Sequence, residues 1–194
     1  MKEKSSILDS FPKVRNPLPK DYQEIYEKHF KSNREGTTSA SSITQKMEAW
    51  MHRKVAKDLK SDNPETYTLE IGAGNLNQLP YEFKTRYDIV EPYIDFYKNS
   101  PLKDRVSSFF TDISEIQGRQ YDRITSIATF EHITNLPFVV AKSCLLLKEN
   151  GALRVAIPNE GTILWKMGWM FTTGLEFKIK YKKKYSTLLK NEHV

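Results

Sequence analysis

Between residues 43 and 60 the apolar side chains recur at intervals of three and four: Ile43, Met47, Trp50, Met51, Val55 and Leu59. This spacing predicts one amphipathic helix, and SDNPE directly after it ends the pattern. From Tyr67 onward the period shortens. TYTLEI, YDIVE, VSSFFTD, YDRITSIA and ALRVAI read as strands, while YIDFYKNS and LPFVVAKSCLLLK read as helices between some of them. Strand-helix alternation predicts an α/β fold, an open and mainly parallel sheet with helices on both faces, because parallel neighbours need a crossover connection.

The flanks have a different character. Residues 1–20, with Pro12, Pro17 and Pro19, predict an irregular arm, followed by a helix from Asp21 to Lys31 and the polar joint SNREGTTSASS. After Pro158 the aromatic run EGTILWKMGWMFTTG predicts a further helix before a lysine-rich end. Three stretches of one domain follow from this: an N-terminal arm and helices at 1–65, an α/β core at 66–160, and an aromatic helix with a basic tail at 161–194.

Composition adds limits. At 194 residues, 39% hydrophobic and 28% charged, the chain reads as one globular domain with an ordinary core. The first twenty residues hold no apolar stretch typical of a signal peptide, and no run approaches the roughly 20 apolar residues of a membrane span, so a cytoplasmic location is expected. The net charge of +6 owes much to KIKYKKKY at 178–185, which has five lysines and no acid. A surplus confined to one late segment does not make a nucleic-acid-binding face, and no nucleic-acid partner is expected. The single cysteine, Cys144, lies in an apolar run and is expected to be a small core residue.

The candidate chemistry begins at TLEIGAGN, residues 68–75, where Gly72 and Gly74 follow the first predicted strand. Two glycines one residue apart suggest close approach of a ligand to the backbone. A dinucleotide fingerprint would place a third glycine where Asn77 stands, so a pyrophosphate fits less well. Glu70, two residues before the pair, suits a cationic amino group and would repel a phosphate. Glu91 ends the second strand and can accept from ribose hydroxyls. Asp112 follows the third strand and can accept from an adenine amino group, with Ile113 packed on the ring. TFEHI, residues 129–133, leaves the fourth strand where the reacting end of such a ligand would lie.

Taken in order, LEIGAGN, IVEP, TDI and ATFEHI resemble the class I S-adenosylmethionine-dependent methyltransferases, in particular the broad group called type 11 or type 12, over about residues 66–160. The resemblance implies S-adenosyl-L-methionine as cofactor. It places Glu70, Gly72 and Gly74 around the methionine part, Glu91 on the ribose, Asp112 and Ile113 on the adenine, and Ala128 and Thr129 along the cofactor. Phe130, Glu131 and His132 would face the acceptor, with Glu131 and His132 as the catalytic candidates. A histidine exchanges protons near neutral pH, which suits His132 to act as a base if the acceptor is a hydroxyl. Some relatives bind a metal through two glutamates three apart and two histidines. Here Ala128 and Leu136 occupy two of those places, and no metal is expected.

The acceptor is expected to be a small molecule or a lipid- or sugar-linked compound. The 161–190 segment, aromatic and then basic, could also rest weakly on an anionic membrane. Two other functions compatible with the pattern are a nicotinamide-dependent oxidoreductase and a non-catalytic S-adenosylmethionine-binding module. The sequence after ALRVAIPN offers no two strand-like runs around a turn, so the closing C-terminal hairpin of the family is expected to be absent. The fifth strand would then lie at the sheet edge.

Overall fold

The computed structural model describes residues 7–15, 17, 19, 20, 22, 23, 25, 39–57, 59, 63–158, 173–183, 186 and 187. The chain divides into two compact units, one of Met1–Pro12 with Trp50–Ile157, the other of Lys13–Ala49 with Pro158–Val194. In the first lie the end of helix α1 (Ser39–Ala56), strands β1 (Tyr67–Ile71), β2 (Arg86–Val90), β3 (Ser108–Phe110), β4 (Tyr121–Ile127) and β5 (Leu147–Ala156), and helix α2 (Leu136–Leu146). The second holds the start of α1 and helix α3 (Thr173–Tyr181).

All five strands are parallel, in the order β3-β2-β1-β4-β5. The open, mainly parallel sheet read from the alternation is therefore present. Period-two alternation assigns the side chains of β1 to two faces. Tyr67, Leu69 and Ile71 pack into one apolar cluster with Ile113, Ile116, Ile124, Phe130 and Leu146. A second cluster, around Leu76, Leu79, Tyr87 and Ile89, contains no residue of β1. The remaining β1 residues, Thr68 and Glu70, are both buried.

That polar interior changes which residues of α1 are enclosed. The predicted stripe included Trp50, yet Trp50 is exposed and His52 is buried beside Val55. Polar partners explain the difference: His52 Nδ1 lies 2.7 Å from Gln78 Oε1, and Gln78 Nε2 donates to the His52 carbonyl and to Glu82. Arg123 continues the network, donating to Glu82 Oε2 at 2.8 Å and to the Val55 carbonyl at 2.8 Å. At the amino ends of the strands, fully buried Asp88 accepts from Tyr67 Oη, from Tyr121 Oη at 2.9 Å and from Arg119 Nη1 at 2.6 Å.

Three further expectations are corrected. YIDFYKNS makes only a 3-10 turn at Ile94–Phe96 followed by a hydrogen-bonded turn, since Pro92 and Pro101 bracket too few residues for a stable helix. Cys144 is exposed, because α2 turns Ser143 and Leu146 inward and leaves position 144 on the outer side. β5 starts earlier than ALRVAI, and its register against β4 shifts between Tyr121 and Arg123. Gly151 is needed at that irregularity, as a Cβ there would meet the Lys148 and Tyr121 carbonyls at 2.9 and 3.0 Å.

Among the described residues no strand follows Ala156, and β5 ends the strand order with Val155 and Ile157 exposed. The predicted helix at 21–31 and the aromatic segment at 160–172 lie mostly or wholly outside the described residues. Of the lysine run, Lys178 and Lys180 belong to α3.

Candidate functional site

The strand order reverses between β1 and β4: the chain builds β2 and β3 on one side of β1, then crosses to the other. In open α/β sheets, ligands bind beyond the carboxyl ends of the strands at such a switch point. The turn after β1 and the turn after β4 meet there.

Gly72 has φ +74° and Gly74 φ +50°, backbone states that a side chain disfavours. Their surroundings differ. A Cβ on Gly72 would fall 2.3 Å from Thr129 Cγ2, whereas one on Gly74 would meet nothing within 4 Å. Thr129 Oγ1 in turn shares its one proton between the Ile127 carbonyl at 3.1 Å and the Gly72 carbonyl at 3.3 Å. The first glycine thus makes room for Thr129, and only the second leaves open space over the turn.

Glu91, directly after β2, joins this turn. It is buried, and its Oε2 accepts the Gly74 N–H at 2.8 Å while Oε1 accepts the Tyr93 N–H at 3.0 Å. Two backbone donors fix the carboxylate, whose oxygens keep lone pairs for hydroxyl donors. Tyr93, exposed beside it, carries no signal in the sequence beyond its distance from Glu91.

Asp112 follows β3 and caps the 3-10 turn Ile113–Glu115, accepting from Ser114 N–H at 2.8 Å and from Ser114 Oγ. These bonds hold its carboxyl below the usual range. Ile113 differs from expectation: only 2% exposed, it packs into the apolar cluster, and its side chain is spent on the core.

Glu70 also differs. It is enclosed, accepts from Tyr87 Oη at 2.9 Å, and burial pushes its carboxyl up to about 8. Near neutral pH it is largely protonated and offers an ammonium group little charge. Gly72, Gly74, Glu91 and Thr129 are brought together, while Glu70 and Ile113 belong to the interior.

The turn after β4 starts at Ala128, a non-glycine residue at φ +50°, and forms a 3-10 turn at Phe130–His132. Phe130 anchors it in the core, and the side chains of Glu131 and His132 are 12% and 41% exposed. His132 Nε2 lies 3.9 Å from Glu131 Oε1. Among the described residues no group of three or more His, Cys, Asp or Glu could hold a metal ion. Two cavities lie elsewhere, one of about 460 Å³ between Trp50 and Val155 and a polar one of about 640 Å³ near Arg86, Arg119 and Lys148.

No protein-family model matches the chain. It is 36% identical over 108 residues to the malonyl-[acyl-carrier protein] O-methyltransferase of Priestia megaterium (strain DSM 319 / IMG 1521), covering 52% of this chain and 39% of that protein. The chain thus spans about two fifths of the length of this curated relative. Among solved structures, a DhpI complex with SAM and HEP superposes with a TM-score of 0.50 at 12% identity, over 79% of this chain and 72% of that one. Coclaurine N-methyltransferase bound to N-methylheliamine and SAH gives a TM-score of 0.45 at 20% identity, over 55% and 34%. The chain has the class I S-adenosylmethionine-dependent methyltransferase fold.

Proposed function

We propose that the protein is an S-adenosylmethionine-dependent methyltransferase acting on a small-molecule or a lipid- or sugar-linked acceptor. One observation carries this: Glu91 is held on the Gly74 N–H at the switch point, beside a glycine with open space above it. A carboxylate fixed next to a side-chain-free backbone position suits a ribose whose adjoining group lies against the turn. Asn77 stands where a dinucleotide fingerprint would place its third glycine, so a pyrophosphate fits the turn less well. The named relative's methyltransferase activity agrees with the reading.

When bound, the cofactor would supply a methyl group already activated on a sulfonium. Glu91 would accept from the ribose hydroxyls, Gly74 would leave the backbone open to the ligand, and Asp112 would accept from the adenine. Thr129, fixed to the Gly72 carbonyl, would set the distance between the two turns. Most of the protein's contribution is then orientation, which can supply up to roughly 7–11 kcal/mol of the barrier. His132, partly exposed on the turn after β4, would take a proton from a hydroxyl acceptor.

Among the described residues no helix is long and apolar enough to cross a membrane. On α3, exposed Leu175 and Ile179 lie one turn apart near Lys178 and Lys180, which supports weak contact with an anionic surface. The test is calorimetric titration of the chain with S-adenosylhomocysteine and with NADH, followed by transfer of labelled methyl to fractionated cell extract. Binding of NADH without S-adenosylhomocysteine would replace the proposal with the oxidoreductase reading. Binding without transfer to any fraction would favour a non-catalytic module.

A further inference from the structure

Polar groups also gather at the amino ends of the strands, at the opposite end of the sheet from the Gly74 turn. The register sets Tyr67 of β1 beside Arg86 of β2 and Asp88 beside Ser108 of β3, and alternation puts Arg86 and Asp88 on one face of β2. The polar cavity of about 640 Å³ opens there, and Arg86, Arg119, Lys148, Ser107, Ser108 and Glu65 are among its lining residues.

Arg119 is the fixed member of this wall. Its Nη1 shares two protons among Asp88 Oδ2 at 2.6 Å, Tyr67 Oη at 2.8 Å and Ser108 Oγ at 2.8 Å. The Asp88 side chain is 0% exposed and that of Arg119 is 35% exposed, so a buried carboxylate holds one nitrogen of a guanidinium that stays partly open to the cavity. Its Nη2 and Nε make no hydrogen bond among the described residues. Arg86 is placed by the same tyrosine: its Cζ lies 4.2 Å from the centre of the Tyr67 ring, and it has no ion-pair partner among the described residues. Ser108 Oγ accepts from Arg119 and Ser107 Oγ accepts the Tyr87 N–H at 3.4 Å, which leaves both hydroxyl protons for another acceptor. Lys148 is held by Asp122 at 2.9 Å, and Glu65 is the acid on the lining itself.

We infer that this cavity binds a phosphate dianion, inorganic or carried by a small monoester, with Arg119 and Arg86 engaging its oxygens and the Ser107 and Ser108 hydroxyls as further donors. A planar guanidinium matches a pair of oxygens on one anion, and a guanidinium already fixed from behind loses little freedom on binding. A carboxylate offers two oxygens and satisfies one such fork, whereas a phosphate has enough oxygens to engage both. The site lies away from the cofactor turn and does not depend on methyl transfer.

The test is calorimetric titration of the full chain at about pH 8, where phosphate is a dianion, and at constant ionic strength, because screening alone changes the binding of any anion. The probes are inorganic phosphate, glycerol 3-phosphate, acetate and glycerol. The better of the two phosphate probes should bind with Kd at or below about 1 mM and at least about tenfold tighter than acetate or glycerol. Tighter binding of glycerol 3-phosphate than of inorganic phosphate assigns the site to a monoester, and the reverse or equality assigns it to the free ion. Arg86→Gln should weaken that probe at least about tenfold, while Lys142→Gln, outside the lining, should leave it within about twofold. Arg119→Lys keeps a cation for Asp88 but loses the fork, and should also weaken the probe about tenfold. If circular dichroism shows that variant to be unfolded, Arg86→Gln decides. Absence of phosphate binding, acetate binding as tightly as phosphate, full affinity in Arg86→Gln, or equal losses in Arg86→Gln and Lys142→Gln would overturn the inference. S-adenosylhomocysteine binding is measured separately, and its absence would refute the cofactor reading and leave this site standing.

Discussion

The side chain of Thr129 occupies the place where a side chain on Gly72 would stand. A Cβ on that glycine would lie 2.3 Å from Thr129 Cγ2 and 2.4 Å from Oγ1. The two turns at the switch point therefore interlock through a threonine and a missing side chain. Gly72→Ala should destabilise the fold, by about 1–2 kcal/mol for the left-handed backbone and about 1–3 kcal/mol for the overlap. The double variant Gly72→Ala, Thr129→Gly should recover the overlap share relative to Thr129→Gly alone. Gly74→Ala meets no atom and should cost only about 1–2 kcal/mol of stability, while reducing S-adenosylhomocysteine affinity at least about tenfold. Urea unfolding with calorimetry separates the two glycines, and equal loss of affinity at equal loss of stability would remove Gly74 from the site.

Glu91 serves the turn before any ligand arrives, because its carboxylate holds the Gly74 and Tyr93 N–H groups. Glu91→Ala should lower stability by about 1–3 kcal/mol and weaken S-adenosylhomocysteine more than stability alone explains. Glu91→Gln keeps one acceptor oxygen and should lie between. The check is a comparison of binding at temperatures where all three proteins are fully folded. Full affinity in Glu91→Ala would confine the residue to a structural role.

The Glu82–Arg123 pair is buried on both sides, with 0% and 5% side-chain exposure and a contact of 2.8 Å. Arg123→Met should cost about 3–5 kcal/mol by leaving Glu82 enclosed and unpaired. Adding Glu82→Gln should return part of that loss, since no carboxylate then remains without its partner. Denaturant midpoints of the single and double variants measure the coupling. Strict additivity would show that the pair is not energetically linked.

Glu70 gives a pH dependence with a defined sign. Its carboxyl is pushed from an ordinary 4.5 up to about 8, so between those values the folded chain keeps a proton that the unfolded chain releases. Stability falls with rising pH wherever the folded state binds more protons. The contribution of Glu70 should therefore be greatest below pH 4.5, decline across the window, and level off above pH 8. Glu70→Gln still offers an acceptor to Tyr87 and removes the titration, so its stability relative to wild type should rise from pH 5 to pH 8. Parallel stability profiles for the two proteins would show that Glu70 is ionised throughout.

The sheet and its switch point were legible in the residues. Short β-branched runs alternating with helical ones have few solutions other than a parallel sheet, and a glycine pair after the first strand marks where its carboxyl ends open. Gly74, Glu91 and Thr129 could be placed at the switch point because their location depends on local position: a turn, a strand end, the residue after a strand. What pattern could not show was which neighbour satisfies each residue. Gly72 read as ligand space because a glycine records only that something comes close, and the tertiary structure shows that the something is Thr129. Glu70 read as a charge for a cationic ligand, but burial, opposed by the Tyr87 hydrogen bond, pushes its carboxyl up to about 8. His52 replaced Trp50 inside α1 because Gln78, 26 residues away, supplies its hydrogen-bond partner. Sequence determined the backbone periodicity and the local turn chemistry. Only packing decided burial, partners and protonation, since each of these depends on groups brought together from distant parts of the chain.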